Sequence, residues 1–285
     1  MINKKIPSLL SIVFFSLLVA CTENKPIIPC LSCGDDGIII EPGTTVKKVL
    51  LEEFTGVRCV NCPQAQAEVT NLQSASVYGE NLIAVSYHAG FFSDPYPEST
   101  NDFTTNAGTE ILNFLKTPIG YPSGVVNRRQ FEGERGLQII QFATWGGFVA
   151  QALDDEPLIA ITMENGFIPN SRRLSTTVDI TPLALIAEDL NITVLITENN
   201  VKSVQLTGEG IVNDYTQKHV FRTMLTGTLG DPISASLQIG IPNQETFSFT
   251  LPEDWIAENC SVVAFVHQTN GGMEVLQVEE LKITE

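Results

Sequence analysis

The sequence is poor in positive charge. Its 285 residues carry 16 Lys and Arg against 33 Asp and Glu, a formal charge of −17. A surface this acidic repels phosphate, so nucleic acid is not an expected partner. It offers no electrostatic hold on anionic lipid either. Histidine is equally sparse: His88, His219 and His267 stand apart, without the i, i+4 spacing of a zinc-binding helix. No GxSxG, P-loop or dinucleotide fingerprint occurs, which removes the common hydrolase and nucleotide-binding signatures. No metal and no cofactor is therefore expected. Charged residues make up only 17% and hydrophobic residues 43%, the balance of a folded chain. Six cysteines are too few for a disulfide-built miniature fold.

What is present begins at the N-terminus. Lys4 and Lys5 precede an apolar run from Ile6 to Ala20. That run falls short of the ~20 apolar residues a spanning helix needs, so residues 1–20 read as an export signal. It ends Leu18-Val19-Ala20-Cys21, which resembles the lipobox of bacterial lipoproteins. By that resemblance Cys21 is acylated and anchors the protein to a membrane. Cleavage ahead of Cys21 removes Lys4 and Lys5, making the chain more acidic still. Export also places the remaining cysteines where disulfides persist. Residues 21–45 form a tether broken by Pro26, Pro29, Gly34, Gly37, Pro42 and Gly43. Cys30 and Cys33 lie inside it with no flanking strand or helix, and read as a local disulfide or reserve thiol pair.

The informative segment follows. A strand is expected over Lys47–Phe54, then a turn, then Cys59-Val60-Asn61-Cys62-Pro63. A helix over Gln64–Val77 and a strand over Leu82–His88 complete a βαβ unit. In that setting a CxxC reads as a thioredoxin-like redox motif. A cysteine at a helix start gains from unpaired N–H groups and the helix dipole, which favour thiolate. Cys59 is the expected attacking thiol, exposed at the helix start, and Cys62 the resolving one. Arg58 adds positive charge beside Cys59. Pro63 suits a first helical turn. Such sites also need a proline loop opposite the cysteines, usually cis. Tyr121-Pro122 is the candidate, ahead of a strand at Val125–Arg128. Residues Phe91–Pro118 are an insertion, with a short helix at Ala107–Leu115. A closing helix is expected over Gly136–Leu153.

With Val49 to Pro63, VLLEEFTGVRCVNCP, the chain resembles the twenty-eight-kilodalton outer-membrane-protein-related family of Gram-negative lipoproteins. Tyr121-Pro122, Val125-Val126-Asn127-Arg128 and Val262 to Val266 carry the likeness further. The resemblance implies a thioredoxin-like N-terminal half, a β-rich C-terminal half and an outer-membrane address. It implies no settled substrate. Arg58 stands where thioredoxins carry Trp, and Val60-Asn61 where they carry Gly-Pro.

Composition shifts near Pro157 towards Thr, Val, Ile and Gly. Strands are expected over 158–164, 174–181, 190–198, 202–207, 219–225, 246–251, 261–268 and 274–283. Asn270-Gly271-Gly272 is the turn between the last two. The expected architecture is an α/β thioredoxin-like domain with an insertion (46–156) followed by an all-β immunoglobulin-like sandwich (157–285). Cys260 is an expected buried thiol. Two functions compete. One is thiol–disulfide exchange on cysteines of envelope proteins. The other is a non-enzymatic surface lipoprotein for adhesion or assembly, in which Cys59–Cys62 is a structural disulfide. Peroxide reduction, with Thr55 and Arg58 near Cys59, fits the CxxC spacing less well.

Overall fold

A computed structural model describes residues 45–74, 78–233, 237–270 and 273–284. The export signal, Cys21, the tether with Cys30 and Cys33, and Gly271-Gly272 lie outside the described residues.

The segment VLLEEFT forms strand β1 (Val49–Thr55), buried at every position. It runs parallel to β2 (Leu82–His88), in register from Val49 opposite Leu82 to Thr55 opposite His88. Strands of a parallel pair bury both faces, so hydrophobic alternation is absent from them. Between them runs α1 (Cys62–Ser74), with Pro63 in its first turn. α2 (Asn106–Phe114) is capped by Thr105, whose side chain accepts from Gly108 N at 2.9 Å. β3 (Ser123–Val126) pairs antiparallel with β1, Phe54 opposite Ser123. α3 (Trp145–Leu153) closes this half.

The period-two geometry of β1 sorts its side chains. Val49 and Leu51 pack towards α1 and α3, with Ala65, Val69, Trp145 and Val149. Leu50 and Phe54 pack on the other face, with Ile111 and Leu112 of α2. Glu53 and Thr55 therefore share the α1 face, and Glu52 shares the α2 face.

The second half contributes β4 (Ile159–Ile168), β5 (Arg173–Pro182), β6 (Leu190–Glu198), β7 (Val201–Thr207), β8 (Gly210–Gln217), β9 (Val220–Met224), β10 (Asp231–Pro232), β11 (Asn243–Thr250), β12 (Cys260–Gln268) and β13 (Val275–Lys282). One eight-stranded sheet runs in the order β13-β12-β6-β9-β2-β1-β3, with β10 beside β6. The junction is β2 with β9: Ser86 pairs with Val220, and Ser86 N donates to His219 O at 2.8 Å. β13 also reaches β1, where Lys48 N donates to the Gln277 side chain at 2.9 Å. The expected division at 156/157 is thus corrected. Strands from both sides of it share one sheet, and the described residues belong to a single compact unit. Strand periodicity marks which faces are buried, but not which sheet a strand joins.

The strands expected to make a separate sandwich are divided. β6, β9, β12 and β13 belong to the shared sheet, while β11-β5-β4 forms a second sheet. Ile161, Leu174, Val178 and Ile180 of the second sheet pack against Ile192, Val194, Ile196, Val262 and Ala264 of the first. β7 and β8 form a hairpin of their own.

Two local expectations also change. The helix expected from Gly136 begins only at Trp145, because Ile139 bridges to Gly124 in extended form. Trp145 Nε1 donates to Ile139 O at 2.9 Å, and its ring lies where a Cβ on Gly124 would sit, 2.5 Å away. The strand expected to reach Arg128 stops at Val126, since Asn127 and Arg128 turn through left-handed φ values of 46° and 51°.

Candidate functional site

The turn after β1 is built by a close backbone approach. Gly56 lies against the Phe92 carbonyl, and a Cβ there would sit 2.2 Å from that oxygen. Arg58 N donates to the same carbonyl at 3.0 Å. Cys59 N then donates to Gly56 O at 3.0 Å, turning the chain into α1. Cys59 and Cys62 are disulfide-bonded, with Cα atoms 5.4 Å apart. Cys62 is the first residue of α1, among the backbone N–H groups that have no partner within the helix.

Cys59 is not exposed as the sequence suggested. Both cysteines are only 3% exposed. The cover comes from the β7–β8 hairpin. Leu206 N donates to Val57 O at 2.8 Å, and Gln205 Nε2 donates to Cys59 O at 3.1 Å. On the α1 side, Gln66 Nε2 donates to Thr216 O at 3.0 Å, while its Oε1 accepts from Lys218 N at 3.1 Å. Val60 and Asn61, between the cysteines, remain exposed.

Against Cys62 lies a small polar pocket. A cavity of about 10 Å³, room for about one water, is lined by Cys62, Glu53, Gln66, Ser86, Gln205, Tyr215 and Gln217, among others. Glu53 is 2% exposed. Its Oε2 accepts from Ser86 Oγ at 2.9 Å, and its Oε1 has no partner. Burial pushes its carboxyl up to about 7, against the pull of the Ser86 hydrogen bond. Burial and the Glu53 charge push Tyr215 up to about 12. Sequence reasoning missed Glu53, Gln205, Tyr215 and Gln217. A signal for Glu53 was available: two adjacent carboxylates inside an otherwise apolar strand are seldom buried without a reason.

The remaining predicted residues separate. Tyr121-Pro122 is a cis peptide bond. Because Phe54 pairs with Ser123, Pro122 sits one position beyond, at the end of β1 from which the cysteine turn emerges. Tyr121 stacks edge-on with Phe92, ring centroids 5.7 Å apart, linking the proline loop to the insertion. Arg58 turns to that insertion too: Nε donates to Asp94 O at 2.8 Å and Nη2 to Pro95 O at 2.7 Å. Its guanidinium lies over the Tyr96 ring. These contacts make Arg58 a brace between the cysteine turn and the insertion. Phe91 and Ile119 are 82% and 91% exposed in the loops beside Tyr121. Cys260 opens β12 as a free, fully buried thiol, pushed up to about 12 chiefly by burial. His88, His219 and His267 are buried, and burial pulls each down to about 4.

A family model described as "Outer membrane protein Omp28" matches residues 117–285, more than half of the chain. The matched span holds Pro122, Gln205 and Tyr215 but not Cys59 or Cys62. Among solved structures, HBP35 of Porphyromonas gingivalis is 18% identical with a TM-score of 0.69, covering 85% of this chain and 77% of that one. At that identity the likeness is one of fold. A domain of the outer membrane lipoprotein Omp28 from Porphyromonas gingivalis is 19% identical with a TM-score of 0.32, covering 45% of this chain and 90% of its own. No curated protein matches the sequence.

Proposed function

The chain belongs to the Omp28 outer membrane protein family, and from that premise we propose that Cys59 and Cys62 carry out thiol–disulfide exchange on cysteines of other envelope proteins. The protein is held at the outer membrane by acyl chains on Cys21. The β1–α1–β2 unit with β3 serves as a thioredoxin-like redox core inside the larger sheet.

One observation carries this reading: the half-partnered carboxyl of Glu53 in the pocket against Cys62. Burying a carboxyl without full hydrogen bonding costs free energy, and an apolar side chain there would serve packing better. A redox pair has a use for the carboxyl, because its inner sulfur gains and loses a proton in every cycle.

The steps follow from the placement. A substrate thiolate attacks Cys59 Sγ, the S–S bond breaks, and the electron pair leaves on Cys62 Sγ. Neutral Glu53, directly or through one water, gives that sulfur its proton. A second substrate thiolate attacks the substrate sulfur of the mixed disulfide, and Cys59 leaves as thiolate. The substrate is oxidised to a disulfide and the pair is reduced, with Cys62 as thiol, Cys59 as thiolate and Glu53 as carboxylate. In reverse, the Glu53 carboxylate takes the Cys62 proton. Exposed Phe91 and Ile119, beside the Tyr121 loop, give an extended substrate chain apolar ground to lie on.

The competing reading is a surface lipoprotein with an inert disulfide. The 3% exposure of both cysteines favours it. Reduction of insulin by the full chain, with Cys59→Ser as control, separates the two. Turnover that disappears in the variant is expected. A potential below about −300 mV with no turnover would mark an inert disulfide. Palmitate labelling, lost in Cys21→Ala, tests the anchor.

A further inference from the structure

The hairpin that covers the cysteines lies far along the chain, yet its buried side chains end on the backbone of the cysteine turn. Gln205 is 2% exposed. Its Nε2 reaches the carbonyl oxygens of Cys59 at 3.1 Å, Gly56 at 3.3 Å and its own neighbour Leu206 at 3.0 Å. Its Oε1 accepts from Gln217 Nε2 at 2.9 Å, and that amide also reaches Ser203 Oγ at 3.1 Å. Beside it, Leu206 N holds Val57 O. The carbonyls of Gly56, Val57 and Cys59 are thus all held by β7. By contrast, the bond that closes the turn from within, Cys62 N to Cys59 O, is long at 3.4 Å.

We propose that Gln205 is a positioning residue for exchange: it holds the Cys59 turn closed when the disulfide no longer does. The inference rests on the exchange reading above. While the S–S bond exists, it restrains the turn covalently. Once it is reduced, only hydrogen bonds keep the two sulfurs together. From outside the turn they come from the two N–H groups of the Gln205 amide and from the Leu206 N–H. Keeping the thiols close raises their effective concentration towards each other. That favours closing the disulfide and speeds attack of Cys62 on a mixed disulfide at Cys59.

The test compares the full chain with Gln205→Met, which keeps the length and removes the amide. The redox equilibrium against glutathione is expected to shift about tenfold towards the dithiol, a rise of ~30 mV. Mixed disulfide at Cys59 should accumulate in insulin reduction, lowering kcat with KM unchanged. Gln217→Met, which removes the bond orienting Gln205 together with the contact to Ser203, should shift the same equilibrium in the same direction by less. An unchanged equilibrium in Gln205→Met overturns the proposal. If the wild type lacks insulin turnover, the exchange reading fails, while the glutathione equilibrium still decides the role of Gln205. Should Gln205→Met not fold, amide exchange in the wild type decides instead. The Leu206 amide is expected to stay protected after reduction, and its release on reduction overturns the proposal.

Discussion

Glu52 and Glu53 are neighbours in one buried strand, yet point to opposite faces and meet opposite fates. On the α2 face, both oxygens of Glu52 are held by Arg128, through Nε and Nη2 at 2.8 Å each. Tyr87 Oη adds a third donor at 3.3 Å, and the guanidinium lies over the Phe265 ring of β12. On the α1 face, Glu53 has one hydroxyl donor and a second oxygen without a partner, and it lines the same cavity as Cys62. Both carboxyls are buried to the same degree. Burial alone therefore does not mark a working group, and neither does a missing partner by itself, since Arg128 Nη1 of the paired site is unpartnered as well; for Glu53 the place beside the cysteine pair has to be added. Through Arg128, Glu52 ties β1 to Phe265 of β12, while Glu53 keeps one oxygen without a protein partner.

That contrast can be broken from either side. The largest effect is expected at the paired site. Arg128→Met leaves Glu52 buried with its cation gone, and should cost about 3–5 kcal/mol in urea unfolding. A variant as stable as wild type would show that Glu52 is not the tie. The opposite sign is expected at the unpaired site. Glu53 holds its proton more tightly folded than unfolded, so its burial costs stability as pH rises from about 4.5, with the full cost reached above pH 7. Glu53→Gln should therefore be more stable than wild type by about 3 kcal/mol at pH 8, with the gain gone at pH 4. Loss of stability at pH 8 would refute the assignment. The smallest effect sharpens the comparison. Ser86→Ala removes the single donor to Glu53 and should destabilise by about 1 kcal/mol at pH 8. It should also move the Glu53 titration upward, readable by NMR of the carboxyl carbon.

The local parts of the site were legible in the sequence because local rules govern them. The strand at Leu82–His88, the cysteine turn, Pro63 in the first helical turn and the Tyr121-Pro122 loop follow from spacing and residue type. What was not legible depends on distant pairing. Nothing in the sequence near Cys59 announces that Gln205 will reach its carbonyl. β8 escaped notice because Asn213 and Asp214 interrupt its pattern, and with it went Tyr215 and Gln217. The same gap explains the exposure expected for Cys59, since a hairpin from the other half supplies its cover. Arg58 shows what proximity in sequence leaves out: its Nε and Nη2 reach the carbonyls of Asp94 and Pro95 in the insertion. The boundary at 156/157 looked real because composition changes there, but the sheet is closed by pairing across it.

The most direct test of the account is the pH dependence of mixed-disulfide resolution in the full chain. Cys59 is charged with a small thiol and release by Cys62 is followed from pH 5 to 9. An inflection near pH 7 is expected in the wild type and is missing in Glu53→Gln, with slower release in that variant above pH 7. Superimposable profiles and rates would show that Glu53 moves no proton, and would return Cys59–Cys62 to the role of a structural link.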